Sequence, residues 1–246
     1  MPKLWKRYTG EIYGGLRYLA AWPPSSRIEV GDVGIFADRS LERHLSLEAL
    51  EIETTVRRGT EVRERGWASA KTKLLRPAVA AAGPVHGGVA ADAEVEVTFE
   101  AKHATLLRAE RSREDGLDRL DRVREALLRL HEEEKWDPDW VLVTHVIQSG
   151  RMVTLISKDR NTGATLRLAG GVAGDANALV TARGELTVLT ADAMAYEERG
   201  ATDATPLYRA VRVQRRPVRG NRVKRIGKRG RARSGPGEFE IAEVAF

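Results

Sequence analysis

Apolar and polar side chains alternate most cleanly between Asp92 and Lys102. Ala93, Val95, Val97, Phe99 and Ala101 fall on one side, and Asp92, Glu94, Glu96, Thr98, Glu100 and Lys102 on the other. A period of two marks a strand with one dry face and one wet face. The same alternation covers Leu50 to Arg58, with a continuation through Arg65, and Leu207 to Val213. Trp140 to Gln148, Met152 to Lys158, Ala164 to Leu168 and most of Ala178 to Met194 read as further strands, the last interrupted at Gly184. Ser149-Gly150 predicts a tight hairpin turn between the first two, and Asp159 to Gly163 a second turn. Ile28 to Ala37 reads as a short strand around a Gly31-Asp32 turn, and Ser40 to Leu47 as a loop or a single helical turn. Residues 78–91, rich in Ala and Gly, read as a flexible connector, and Gly170 to Asn177 as a loop.

The helical period is clearest from Ser112 to Glu134. Leu117, Leu120, Val123, Leu127, Leu128 and His131 recur at spacings of three, four and seven, the mark of an amphipathic helix. Ser112 is placed to cap it, Glu114 and Asp115 suit the positive end of its dipole, and Trp136-Asp137-Pro138 ends it. A second helical spacing (Leu4, Trp5, Tyr8, Ile12, Leu16, Leu19) is weakened by Gly10, Gly14 and Gly15 and ends at Pro23-Pro24. The fold class is α+β: a twisted, largely antiparallel sheet with surrounding helices.

Charge divides the chain into unlike pieces. Residues 209–233 hold 12 Arg or Lys and no Asp or Glu, leaving 29 basic against 35 acidic residues elsewhere, a net −6. The chain therefore reads as a body (1–208), a basic hinge segment (209–233) and a C-terminal tail (234–246) in which Phe239, Ile241, Val244 and Phe246 are interleaved with glutamates. A peptide of that kind adds to a sheet edge as a strand or lies in a groove. The basic segment admits three readings. It can bind nucleic acid through counterion release, bind anionic lipid, or offer a protease exposed bonds at Lys224, Arg225, Lys228, Arg229, Arg231 and Arg233. No aromatic residue lies between Arg209 and Arg233, so a stacking platform for single-stranded nucleic acid is missing there.

Other chemistry is sparse. The absence of Cys excludes disulfides and thiol nucleophiles. The five His (44, 86, 103, 131, 145) stand in no metal-ligand spacing, and no nucleophile elbow or phosphate loop is present. No enzyme activity, cofactor or metal is expected. No apolar run approaches the roughly 20 residues of a membrane-spanning helix, and no apolar stretch follows the basic N-terminus, so no secretory signal is expected. Strands of about 9–11 residues with one apolar face suit an ordinary half-buried sheet and a membrane barrel alike.

The order of elements resembles that of the bacterial gasdermins. An alternating strand (Ala91 to Leu107) precedes an amphipathic helix (Glu114 to Glu134). Then come Trp140 to Ile147, Met152 to Lys158, a polar turn, Ala164 to Leu168, a Gly/Asn loop and the closing Thr205-Pro206-Leu207-Tyr208-Arg209-Ala210-Val211-Arg212. The resemblance spans residues 50–215 and rests on element order, not on a sharp motif. It implies an α+β body held shut by a C-terminal inhibitory tail (Phe239, Ile241, Val244, Phe246). A partner protease would cut the basic segment. The freed body would then oligomerise as a membrane pore that kills the cell in anti-phage defence, being cytoplasmic before cleavage and in the cell inner membrane afterwards. Two regions would insert: Leu50 to Ala70 with Ala91 to Leu107, and Trp140 to Lys158 with Ala164 to about Thr190. Anionic lipid would meet Lys3, Lys6, Arg7, Arg215, Arg216 and Arg219. Family members often carry an acylated Cys near the N-terminus; this chain has none, so membrane capture falls to the basic residues.

Overall fold

The computed structural model describes residues 4–37, 40–75, 93–169, 176–215 and 239–244. In chain order the elements are α1 (Leu4–Leu16), β1 (Leu19–Ala20), β2 (Asp32–Ala37), β3 (Ser40–Ser46), β4 (Val56–Arg57), β5 (Arg63–Ala68), β6 (Thr72–Leu75), β7 (Ala93–Phe99) and β8 (Thr105–Leu117). They continue with α2 (Leu120–Glu132), β9 (Trp140–Ser149), β10 (Arg151–Ser157), β11 (Thr162–Leu168), α3 (Ala176–Thr181), β12 (Leu186–Ala191), β13 (Met194–Ala201), β14 (Ala204–Arg215) and β15 (Phe239–Glu243). The fold is α+β and its strand pairings, among the described residues, are all antiparallel.

Three long ribbons make the large sheet. β10 and β9 lie end to end along β8 in one unbroken register, from Ile156↔Thr105 through Arg151↔Glu110 and Gln148↔Arg113 to His145↔Gly116. β13 and β14 lie end to end along their other side. Ser149-Gly150 is therefore an in-line bend and not the expected hairpin. A two-residue hairpin of type I′ needs positive φ at both residues, or at the first for type II′; neither residue has it. Instead the Gly150 N–H and the Ser149 hydroxyl both donate to the Glu110 carbonyl, at 3.1 and 3.2 Å, which carries the ladder across the bend.

The second sheet has the order β12-β11-β7-β6. Its dry face (Val95, Val97, Phe99, Leu166, Leu168, Leu186) packs with Leu106, Val153 and Leu155 of the large sheet and Leu179 and Val180 of α3. On the large sheet, Tyr8 and Ile12 of α1 pack with Leu107, Ile147 and Leu207. Val123 and Leu127 of α2 pack with Trp136, Leu142, Val211 and Val213.

Several sequence expectations change. The helix begins at Leu120, not Ser112, and residues 112–117 complete β8. Their polar groups are spent across strands: the Ser112 hydroxyl donates to the Arg63 carbonyl at 2.6 Å, and the Asp115 carboxylate accepts the Gly59 N–H at 3.1 Å. Ladder bonds from β9 and β4 thus override a helical pattern. Leu117 nevertheless joins the same core as Leu120, Val123 and Leu127, which is why the spacing looked continuous. Ser40 to Leu47 is mostly strand (β3), paired to β2; Glu42, Arg43 and His44 are exposed, and that polar run hid the period of two. Between Leu50 and Arg65 only β4 and the start of β5 are strand, because β8 offers the earlier part a partner only at Gly116 and Leu117. Ala178 to Thr181 is helical rather than strand, and Ala176 and Asn177, expected in a loop, open that helix. Of the segments expected to insert, Trp140 to Lys158 lies in the large sheet and Ala164 to Thr190 mostly in the second. β5 pairs with β8 in the large sheet and β7 lies in the second, so the strands within Leu50 to Ala70 and Ala91 to Leu107 are divided between the sheets. The 78–91 connector lies outside the described residues.

Candidate functional site

The seat of the C-terminal tail is the outer edge of β14. One edge of β14 is filled by β9; the other takes β1 at Leu207 and Tyr208 and then β15 from Val211 to Arg215. The register is Val211↔Glu243, Val213↔Ile241 and Arg215↔Phe239. The Val244 N–H donates to the Ala210 carbonyl at 2.9 Å and carries the contact past the strand's end. Gln214 Nε2 donates to Glu240 Oε1 at 3.2 Å. Alternation then sends the two apolar anchors to opposite faces. Ile241 packs on the α2-side core with Val211 and Val213, and Val244 packs on the other face with the cluster containing Tyr208 and Ala210. The tail grips the sheet edge from both sides.

The tail alternation was legible in the sequence; its seat was not. Val213, Gln214 and Ala210 carry no signal that marks them as a docking edge, beyond the matching alternation of Leu207 to Val213.

Residues 209–215, read as the start of the basic hinge, belong to β14, so the hinge proper follows Arg215. Arg209 is structural: its guanidinium stacks over the Tyr18 ring at 4.5 Å. Beneath it the Tyr18 hydroxyl and Arg65 Nη2 donate to the two Glu114 oxygens at 2.8 and 3.2 Å. Burial alone would raise the Glu114 pKa, but the Tyr18 hydroxyl with the Arg65 and Arg209 charges holds it below the ordinary carboxylate value. His145 shares this sheet face, opposite both Gly116 and Arg209. Burial, chiefly, pushes its pKa below the usual histidine value.

The remaining expected site residues are scattered. Lys6 and Arg7 lie on α1, where Arg7 pairs with Glu11 at 3.2 Å. Arg215 closes β14 opposite Phe239. Lys3, Arg216, Arg219, Lys224, Arg225, Lys228, Arg229, Arg231, Arg233 and Phe246 lie outside the described residues. Among the described residues no group of three or more His, Asp or Glu is placed to hold a metal ion, and no helix is long and apolar enough to cross a membrane.

The fold and this seat define an α+β protein, built mainly of antiparallel sheet, whose last strand is an add-on at an edge. No family profile, curated protein or solved structure matches the chain.

Proposed function

We propose that this chain is a latched pore-forming protein of the kind the bacterial gasdermins represent, with β15 as the latch. One observation carries the reading. Arg215 and Phe239 face each other in the ladder, yet residues 216–238, 23 in number, connect them. A turn of about two residues joins such neighbours. The surplus contains nine Arg or Lys and offers a trypsin-like protease its bonds at Lys224, Arg225, Lys228, Arg229, Arg231 and Arg233. A cut there severs the tether without touching either strand.

The energetics suit release. A tethered segment sits at an effective concentration on the order of millimolar. Two partly buried anchors and one short ladder hold β15 well at that concentration and poorly once the peptide is free at micromolar levels. Its departure uncovers Val211, Val213 and a run of unpaired β14 backbone, an edge that recruits another copy of the chain. In this reading the basic residues of α1 and of the cut segment meet anionic lipid. The protein waits in the cytoplasm, then assembles in the inner membrane and ends an infected cell.

The test replaces Lys228-Arg229 with the recognition sequence of a site-specific protease. Protein cut there should release dye from anionic vesicles, while uncut protein leaves them sealed. Cut protein freed of residues 234–246 that stays monomeric and leaves vesicles intact overturns the proposal.

A further inference from the structure

All three ribbons of the large sheet are irregular at one level: β8 by a positive φ at Arg111, the second ribbon by a bend at Ser149-Gly150, and the third by a bend at Asp203 between β13 and β14. Arg111 and Asp203 hold positive φ there, 48° and 52°, a left-handed conformation that costs a non-glycine residue about 1 kcal/mol or more. The bend opens a cleft of about 770 Å³ whose lining includes Arg27, Glu29, Val62, Arg111, Arg113 and Gln148. That size is within the range of small-molecule sites.

Three guanidinium groups share this lining: Arg27 before β2, and Arg111 and Arg113 on β8. Arg113 Nη2 donates to Gln148 Oε1 at 2.6 Å and its Nε lies 3.3 Å from Asp115. The Gln148 amide nitrogen therefore keeps both its N–H donors, with no partner among the described residues. Arg27 reaches Asp203 at 3.6 Å, but both side chains are more than two-thirds exposed, and such pairs contribute little. Arg111 is exposed and has no carboxylate at salt-bridge distance among the described residues. Glu29 and Asp203 line the same cleft and Asp115 neutralises Arg113, so three carboxylates balance the three guanidinium groups. That balance favours a single oxyanion over a polyanion. At the rim stands Val62, which at 59% exposure is an unusually open apolar side chain for this protein.

From this juxtaposition we propose that the bend cleft binds a small organic molecule carrying one oxyanion group, a carboxylate or a phosphate monoester. Arg111 and Arg27 grip the oxyanion, the Gln148 amide donates to it, and Val62 covers the organic part. The site is independent of the latch.

Phenyl phosphate and benzoate separate the two forms of the group. Each is titrated into the full chain by calorimetry at fixed ionic strength, with methyl spectra reporting Val62 and Ile28, which also lines the cleft. One of the two should saturate at one per chain and shift both methyl signals. Arg111→Gln and Arg27→Gln should each weaken it about tenfold or more, since a charge-assisted bond is lost in each. Both side chains are exposed, so an unchanged melting temperature confirms that the variants fold. Three outcomes overturn the proposal: neither probe saturates by concentrations on the order of 10 mM; Arg111→Gln binds as the parent does; or Lys224→Gln/Arg225→Gln abolishes binding, which would place it on the basic segment.

Discussion

Arg108 and Glu110 bury a charge pair where apolar residues would pack without cost. Their side chains are 0% and 4% exposed and meet at 2.9 Å. Arg108 also donates to the carbonyls of Leu179 and Gly184, and Glu110 accepts the Leu186 N–H. The pair thus fastens α3 and the start of β12 onto β8. Arg108→Met leaves the buried Glu110 carboxylate only Arg151, at 3.9 Å, as a cationic partner and should cost about 3–5 kcal/mol in urea unfolding. Arg108→Met/Glu110→Gln should recover part of that; a double variant no better than the single one would show that the pair is not the cause.

His145 gives the fold a dependence on acid. Burial is the main influence lowering its pKa; Arg209 and Arg57 push the same way, while Glu114 and Glu243 pull it up. An unfolded histidine titrates near 6.5. Below that pH the unfolded chain takes up a proton that the folded one refuses, so stability is full above about 6.5 and declines as pH falls through the folded value. His145→Gln should flatten the decline between about pH 7 and 5. A residual slope remains from His103, whose pKa is lowered by burial and the nearby Lys102 and Arg7 charges. An unchanged slope in His145→Gln would assign the whole effect elsewhere.

β15 is held by one ladder and two apolar anchors. Ile241→Asp places a charge against Val211 and Val213, which removes about 1 kcal/mol of apolar contact or more and adds a desolvation cost. Amides at 240–244 should then exchange about tenfold faster while those of β9 keep their protection; equal rates at 240–244 would deny Ile241 its anchoring role. The legibility of the elements follows their surroundings. β7 was clear because a wet face and a dry face stay constant along it: Val95, Val97 and Phe99 are buried, Glu94 and Glu96 exposed. β8 was not, because its face changes partners at Arg111 and its last residues alternate poorly. There Asp115 and Gly116 are buried beside Leu117, and Gly116 leaves room for the His145 ring, which a Cβ would approach at 2.5 Å.

At the scale of the molecule, the connection between β14 and β15 is the lever. Replacing residues 216–238 with a four-residue turn keeps the register Arg215↔Phe239 and shortens the loop closed on folding. Loop-closure entropy then favours the short form by about 1.5 kcal/mol. Such a variant should unfold later in urea, resist cleavage between the strands and leave vesicles sealed after protease treatment. Leakage from it would mean that the tail is no latch.

The sequence by itself determined the class of fold, the charge divorce between body and basic segment, the amphipathic face that became α2, and the alternation of the tail. Each of these is set within a short window of neighbours, by side-chain period or by net charge. Only the tertiary structure decided that Ser149-Gly150 continues a ribbon instead of reversing it, that 112–117 is strand, that Arg209 to Arg215 sits inside the sheet, and that β15 lands on β14. Those outcomes depend on which backbone groups meet across dozens of residues, and hydrogen bonds between distant strands leave no period in the chain that makes them.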